Sequence, residues 1–201
     1  MNYYISDLHI GCKNSFENRT LEYDQIIIDN WNKVVHNDDT VFILGDIGKL
    51  GNNKGNAYVA SIISQLKGRK ILILGNHDQQ GIKDNRILQL FTEIVPYKEI
   101  TDSFNGKNYH LVLSHYPIYS WNGAYKGWIH LYGHTHNNFD HLMFQEKLQK
   151  LREKVHELNI QAEMENNPKF KAEPYAYNVG CMLWDYTPVT LKQILERSNN
   201  D

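Results

Sequence analysis

Three short apolar runs mark the first third of the chain: Tyr3-Tyr4-Ile5, Val41-Phe42-Ile43-Leu44 and Ile71-Leu72-Ile73-Leu74. Each is closed by polar residues, the last two through a glycine. Continuous apolar runs of this length, bounded by turn formers, suit strands covered on both faces, the usual state of a parallel sheet. Between them apolar positions recur three and four apart. Ile27, Trp31 and Val34 or Val35 do so from Tyr23 to Val35, and Val59, Ile62, Ile63 and Leu66 do so from Ala57 to Leu66. That is the spacing of helices with one buried side. The order β-α-β-α-β predicts a wound α/β sheet, whose functional residues gather beyond the carboxyl ends of the strands.

The second half has another rhythm. Ile94 to Ile100, Tyr109 to Leu113, Trp128 to Tyr132 and Tyr175 to Val179 read as strands of a second sheet, and Ile82 to Leu90 as a helix before them. From Phe139 to Ala162 the pattern is helical, with Leu148, Leu151, Val155, Leu158 and Ala162 forming one stripe. The stripe fits either a cover packed on the domain or an arm that serves as a lid or a homodimer contact; it is too short for a coiled coil. Asn166-Asn167-Pro168 and Glu173-Pro174 then break the pattern.

Length and composition narrow the class. A chain of 201 residues, 41% hydrophobic and 22% charged, is expected to be a single globular domain over 1-201, with the helix at about 139-165 as an insertion. A formal net charge of −2 supplies no field that would draw it onto nucleic acid or an anionic membrane. Cys12 and Cys181 form no CxxC pair, which argues against a disulfide framework or a zinc knuckle and for a reducing compartment. No membrane span or signal peptide is visible, and the candidate chemistry begins at Asp7, so the expected location is cytoplasmic.

That chemistry lies in five polar clusters: Asp7-Leu8-His9, Gly45-Asp46, Gly75-Asn76-His77-Asp78, Ser114-His115 and Gly133-His134-Thr135-His136. Three of them follow the three apolar runs directly. In an extended segment side chains alternate, so Asp7 and His9 would share a side, as would His134 and His136. Carboxylate, imidazole and amide donors without thiolates suit Mn, Fe, Co, Ni or Zn better than calcium. Asp46, alone after its strand, is the natural bridge between two ions. Any one cluster is ordinary turn chemistry; their joint placement at strand ends is not.

The ordered set D-x-H, GD, GNHD, SH and GHTH resembles the calcineurin-like metallophosphoesterases, from Ile5 to about Gly180, and within them the small cytosolic bacterial and phage-type enzymes. The resemblance implies an α/β (α+β) fold of two packed mixed β-sheets flanked by helices, a four-layer αββα sandwich. It implies two divalent metal ions (Mn2+, Fe2+/3+, Zn2+, Ni2+ or Co2+). Asp7, His9, Asp46 and His136 would hold one, and Asp46, Asn76, His115 and His134 the other. His77 would face the scissile phosphate. In related chains the first motif often runs on as GH before a K-N pair; here Cys12 replaces that histidine, ahead of Lys13 and Asn14.

The implied reaction is hydrolysis of a phosphomonoester or phosphodiester, including nucleotides or cyclic nucleotides, by a hydroxide that two metals activate. His77 is the candidate catalytic acid, and Asp78 either assists it or caps the helix that follows. Tyr116, Trp121 and Asn122 are candidate substrate-lining residues, with filling of the seam between sheets as the alternative for the aromatic ones, and Arg19 either binds phosphate or is a surface residue. A small phosphate ester is favoured over nucleic acid as partner because the modest charge suits no long phosphate backbone. The alternatives are a metal-dependent DNA or RNA nuclease and a non-catalytic scaffold of the same fold.

Overall fold

The computed structural model describes residues 1–12, 22–164 and 170–198. The first sheet consists of β1 (Asn2–Ile5), β2 (Thr40–Ile43), β3 (Arg69–Ile73) and β4 (Glu93–Val95), in that order and all parallel. Helices α1 (Glu22–Val34) and α2 (Asn53–Ile63) lie in the crossovers, and the short α3 (Asn85–Leu88) precedes β4. Glu22 and Asp24 open α1 and Lys33 closes it, each charge opposing the helix dipole at its end. Asn52 caps α2 by accepting the Gly55 amide.

The second sheet runs β5 (Lys98–Phe104), β6 (Lys107–Leu113), β7 (Ile129–Tyr132) and β8 (Tyr175–Asn178). It is mixed: β5 and β6 form an antiparallel pair, and β7 and β8 join in parallel. The sequence pattern read Ile94 to Ile100 as one strand. The chain instead leaves the first sheet after Val95 and enters the second at Lys98, with Pro96 in the corner. Proline has no amide to donate to a ladder, so the strand divides there.

Alternation along each strand builds the layers. Tyr3, Ile5, Val41 and Ile43 pack with Ile27, Trp31, Val59 and Ile63 of the two helices. Their neighbours Tyr4, Phe42 and Leu44 face Leu111, Leu113, Ile129 and Leu131 of the other sheet, and Leu191 and Ile194 of α5 (Leu191–Ser198) join that seam. Beyond the second sheet, Val112, Tyr132 and Ala176 pack against Trp121 and against Leu148 of α4 (Phe139–Met164). The result is helix, sheet, sheet, helix. Leu148, Val155 and Ala162 are the buried residues of α4, so along this stripe the helix is a cover. Among the described residues no helix is long and apolar enough to cross a membrane.

Candidate metal centre

Five strands point their carboxyl ends at one place. Asp7 and His9 follow β1, Asp46 follows β2 and Asn76 follows β3, all from the first sheet. His115 follows β6, and His134 and His136 follow β7, from the second.

The local backbone differs from the expected extended one. Asp7, His9, Asp46, His134 and His136 all have positive φ, 58°, 44°, 54°, 67° and 46° in turn. The pairs Asp7/His9 and His134/His136 therefore converge through left-handed turns and not through strand alternation. Such conformations cost non-glycine residues on the order of 1–3 kcal/mol each and persist where the surroundings over-determine them. The close approach of neighbouring turns is one such constraint. A Cβ on Gly75 would land on the Asp46 carboxylate, and one on Gly133 on the Ser6 hydroxyl and the Asp7 carboxylate.

Two groups of ligand atoms result: Asp7, His9 and His136, and Asp46, His115 and His134, the atoms of each lying within 4.8 Å of one another. Each group takes residues from both sheets. In the first, His9 Nε2 and His136 Nε2 are 3.0 Å apart, and Asp7 Oδ1 is 3.5 Å from His136 Nε2. In the second, His115 Nε2 lies 3.5 Å from Asp46 Oδ2 and 3.0 Å from Asn76 Oδ1. Asp46 Oδ2 is also 3.8 Å from His9 Nε2, so one oxygen faces both groups. Asp46 Oδ1 accepts the His77 amide at 3.0 Å, which leaves Oδ2 as the atom available for bridging.

The protonation pattern suits a cation. His115 Nδ1 lies 2.8 Å from the buried Leu44 carbonyl, which can only accept, so Nδ1 carries the proton and the Nε2 lone pair faces the other ligands. Burial pushes His134 below the ordinary histidine range, which favours its neutral form. Burial alone would raise Asp7, but hydrogen bonds with His136 and the Ser6 hydroxyl help to hold it below the usual carboxylate range. The His134 amide also donates to both Asp7 oxygens, at 3.1 and 3.2 Å. Lone pairs and carboxylate oxygens thus converge with few protons among them, which is costly unless a positive ion is shared. The donor set fits borderline divalent metals.

Asp78 corrects an expectation. It is fully buried, and its carboxylate accepts the amides of Asp46, Ile47 and Gly75 at 2.8–2.9 Å. It ties the turns after β2 and β3 together and does not cap α3, whose cap is Asp84. Its pKa is raised, burial being the largest cause. His77 is placed otherwise: its side chain is 61% exposed and its Nε2 lies 3.9 Å from Asp46 Oδ2.

The expected substrate residues separate. Tyr116 is half exposed and packs edge-on against His115 and His134, with ring centroids 5.1 and 4.6 Å away. Trp121 is not a lining residue. It is buried, and its Nε1–H donates to the Trp128 carbonyl, so the ring belongs to the core beneath α4. The Asn122 amide is engaged by both oxygens of Glu99. Arg19, with Lys13 and Asn14, lies outside the described residues. Cys12 is half-buried, and its amide donates to the His9 carbonyl, closing the turn after that ligand.

Sequence reading passed over Asn178. This buried side chain donates to the His136 carbonyl at 2.9 Å and the Thr135 hydroxyl at 3.3 Å, and accepts the Gly180 amide. The signal was present: like Asp46 and Asn76, it is a polar residue at a strand end with a glycine close by. The Leu44 carbonyl left no such signal, because any residue would supply one.

Residues 3–172 match the family model for calcineurin-like phosphoesterase. The chain is 31% identical to an uncharacterized protein of Methanocaldococcus jannaschii over 96% of its own length and 89% of the relative's. It is 48% identical to the Gene 66 protein of Mycobacterium phage L5, though the match covers only 38% of this chain and 39% of the phage protein. The Gene 66 protein of phage D29 is 30% identical over 67% of this chain and 78% of that one. Among solved structures, an Aquifex aeolicus protein of unknown function superposes with a TM-score of 0.63 and 25% identity, over 98% of both chains.

Proposed function

The chain belongs to the calcineurin-like phosphoesterases, a family of metal-dependent phosphoester hydrolases, and from that premise we propose that it cleaves a phosphomonoester or phosphodiester with two divalent cations. Asp7, His9 and His136 would hold one and Asn76, His115 and His134 the other, with Asp46 between them. The observation that carries the reading is Asp46 Oδ2, a single carboxylate oxygen 3.8 Å from His9 in one ligand group and 3.5 Å from His115 in the other.

When bound, a pair of such ions supplies a water of lowered pKa and neutralises charge on the phosphate oxygens. The chain's own contribution is positional. The Leu44 carbonyl fixes the His115 tautomer, the Asn178 amide holds the His136 carbonyl, and the Asp78 carboxylate gathers the amides after β2 and β3. The His77 amide is anchored on Asp46 while its imidazole reaches into open solvent, where it can donate a proton or a hydrogen bond to the departing oxygen. Tyr116 stands beside His115 and His134 as a wall against which an ester's organic part can rest.

Purified protein supplied with Mn2+ should hydrolyse an aryl phosphate ester and bind the metal stoichiometrically by elemental analysis. Asp46→Asn should lose most of both. His77→Ala should keep the metal and lose roughly 10²–10⁴-fold in rate, the usual worth of a general acid. Wild-type rates in both variants would refute the proposal.

A further inference from the structure

An open cavity of about 760 Å3 has Gly11, Lys49, Lys54, Ala57 and Tyr58 among its lining residues. Its walls continue the turns that carry the ligands. Gly11 is two residues beyond His9, and Lys49 three beyond Asp46. A chain spans at most about 3.6 Å per residue, so these walls begin within roughly 7 and 11 Å of ligand backbone. Ile10 and Gly48 form a bridge between the two turns, and the Lys49 amide donates to the Ile10 carbonyl.

The cavity has a fixed floor and unpaired charge. The Tyr58 ring lies against Gly11, where a Cβ would come within 3.0 Å of it. Asp24 holds both from beneath, its Oδ2 accepting the Gly11 amide and the Tyr58 hydroxyl at 3.0 Å each. Lys49 and Lys54 are exposed, and no ion pair involves either among the described residues. In a chain of net charge −2, two unpaired ammonium groups at one cavity form a local exception. They match a phosphate, which carries close to two charges at neutral pH, better than a carboxylate, which carries one. Tyr58 and Ala57 offer apolar surface to whatever joins that phosphate to the scissile one.

We propose that this cavity is a second phosphate subsite, and that the enzyme's substrates are phosphate esters bearing another phosphate on the same organic body, such as a nucleoside bisphosphate. The inference rests on the hydrolase reading for the scissile ester, and on the cavity alone for the second phosphate.

The test compares adenosine 3′,5′-bisphosphate with adenosine 5′-monophosphate and adenosine 3′-monophosphate, in the Mn2+-loaded protein and its Lys49→Ala/Lys54→Ala variant. Lys150→Ala, on the outer side of α4, is the control. Wild type and control should prefer the bisphosphate about tenfold or more in kcat/KM, and in affinity by titration calorimetry. The double variant should bring that ratio close to one. A preference that is absent from wild type, or that survives in the double variant, overturns the subsite. If no nucleotide is cleaved while the lysine-dependent binding preference remains, the subsite stands and the hydrolase reading falls.

Discussion

His136 shows what a single candidate ligand costs the fold. With φ at 46° it occupies a backbone region that glycine enters freely and other L-residues enter at a penalty. Replacing it should therefore have opposite consequences according to the replacement. In metal-free protein, His136→Gly should be more stable than His136→Ala by about 1 kcal/mol, read from urea midpoints at constant slope. An alanine variant as stable as the glycine one would show that the turn carries no strain. The identity of this residue was legible in the chain and its conformation was not. Gly133-His134-Thr135-His136 offers a candidate ligand pair through residue type. A left-handed histidine, however, depends on partners such as Asn178, which lies 42 positions away. The same reason applies to Asp78: the sequence offers it either as a partner of His77 or as a helix cap, and neither reading anticipates the amides of Asp46, Ile47 and Gly75 around it.

Among the elements, β7 carries a titration that reports on how the second sheet holds the loop after His115. His130 is buried on this strand; its Nδ1 faces the Val112 carbonyl at 3.0 Å, and its Nε2 accepts the Ile118 amide at 3.1 Å. Only the neutral ring can do both, and burial pushes its pKa down from 6.5 to about 4. The sign follows from proton counting. Between these values the unfolded chain binds a proton that the fold refuses, so this contribution is complete above about pH 6.5 and is lost as pH falls toward 4. Comparing wild type with His130→Gln, the difference in unfolding free energy should shrink by about 2 kcal/mol between pH 7.5 and pH 5. An unchanged difference would mean that His130 does not titrate this way. Strands β1 to β3 were readable because burial on both faces leaves continuous apolar runs. The boundary at Pro96 was hidden inside a run of strand formers, and the expected helix from Ile82 to Leu90 shrank to Asn85–Leu88 because tight turns around Asp78 to Asp84 occupy its start.

At the level of the whole molecule, the two sheets meet through an apolar seam, and a side-chain hydrogen bond crosses it between β1 and β5. Tyr4 of β1 is wholly buried, and its hydroxyl donates to Asp102 of β5 at 2.6 Å, across 98 positions of sequence. Tyr4→Phe should cost about 1.5–3 kcal/mol, the range for a hydrogen bond to a charged group, with the urea slope unchanged. A loss below 0.5 kcal/mol would show that water serves Asp102 equally well. Each sheet could be read from its own rhythm, but which faces meet could not, because that depends on contacts this distant. The same distance bears on how the chain comes to life. Asp7 waits for His136, and Asp46 for His115 and His134, so neither half of the polypeptide owns a complete set of the candidate ligands. During synthesis the amino-terminal half can emerge, and even form its parallel sheet, without presenting a finished cage to the metals of the cell. The two groups of side chains that could hold an ion are complete only when the later strands have docked.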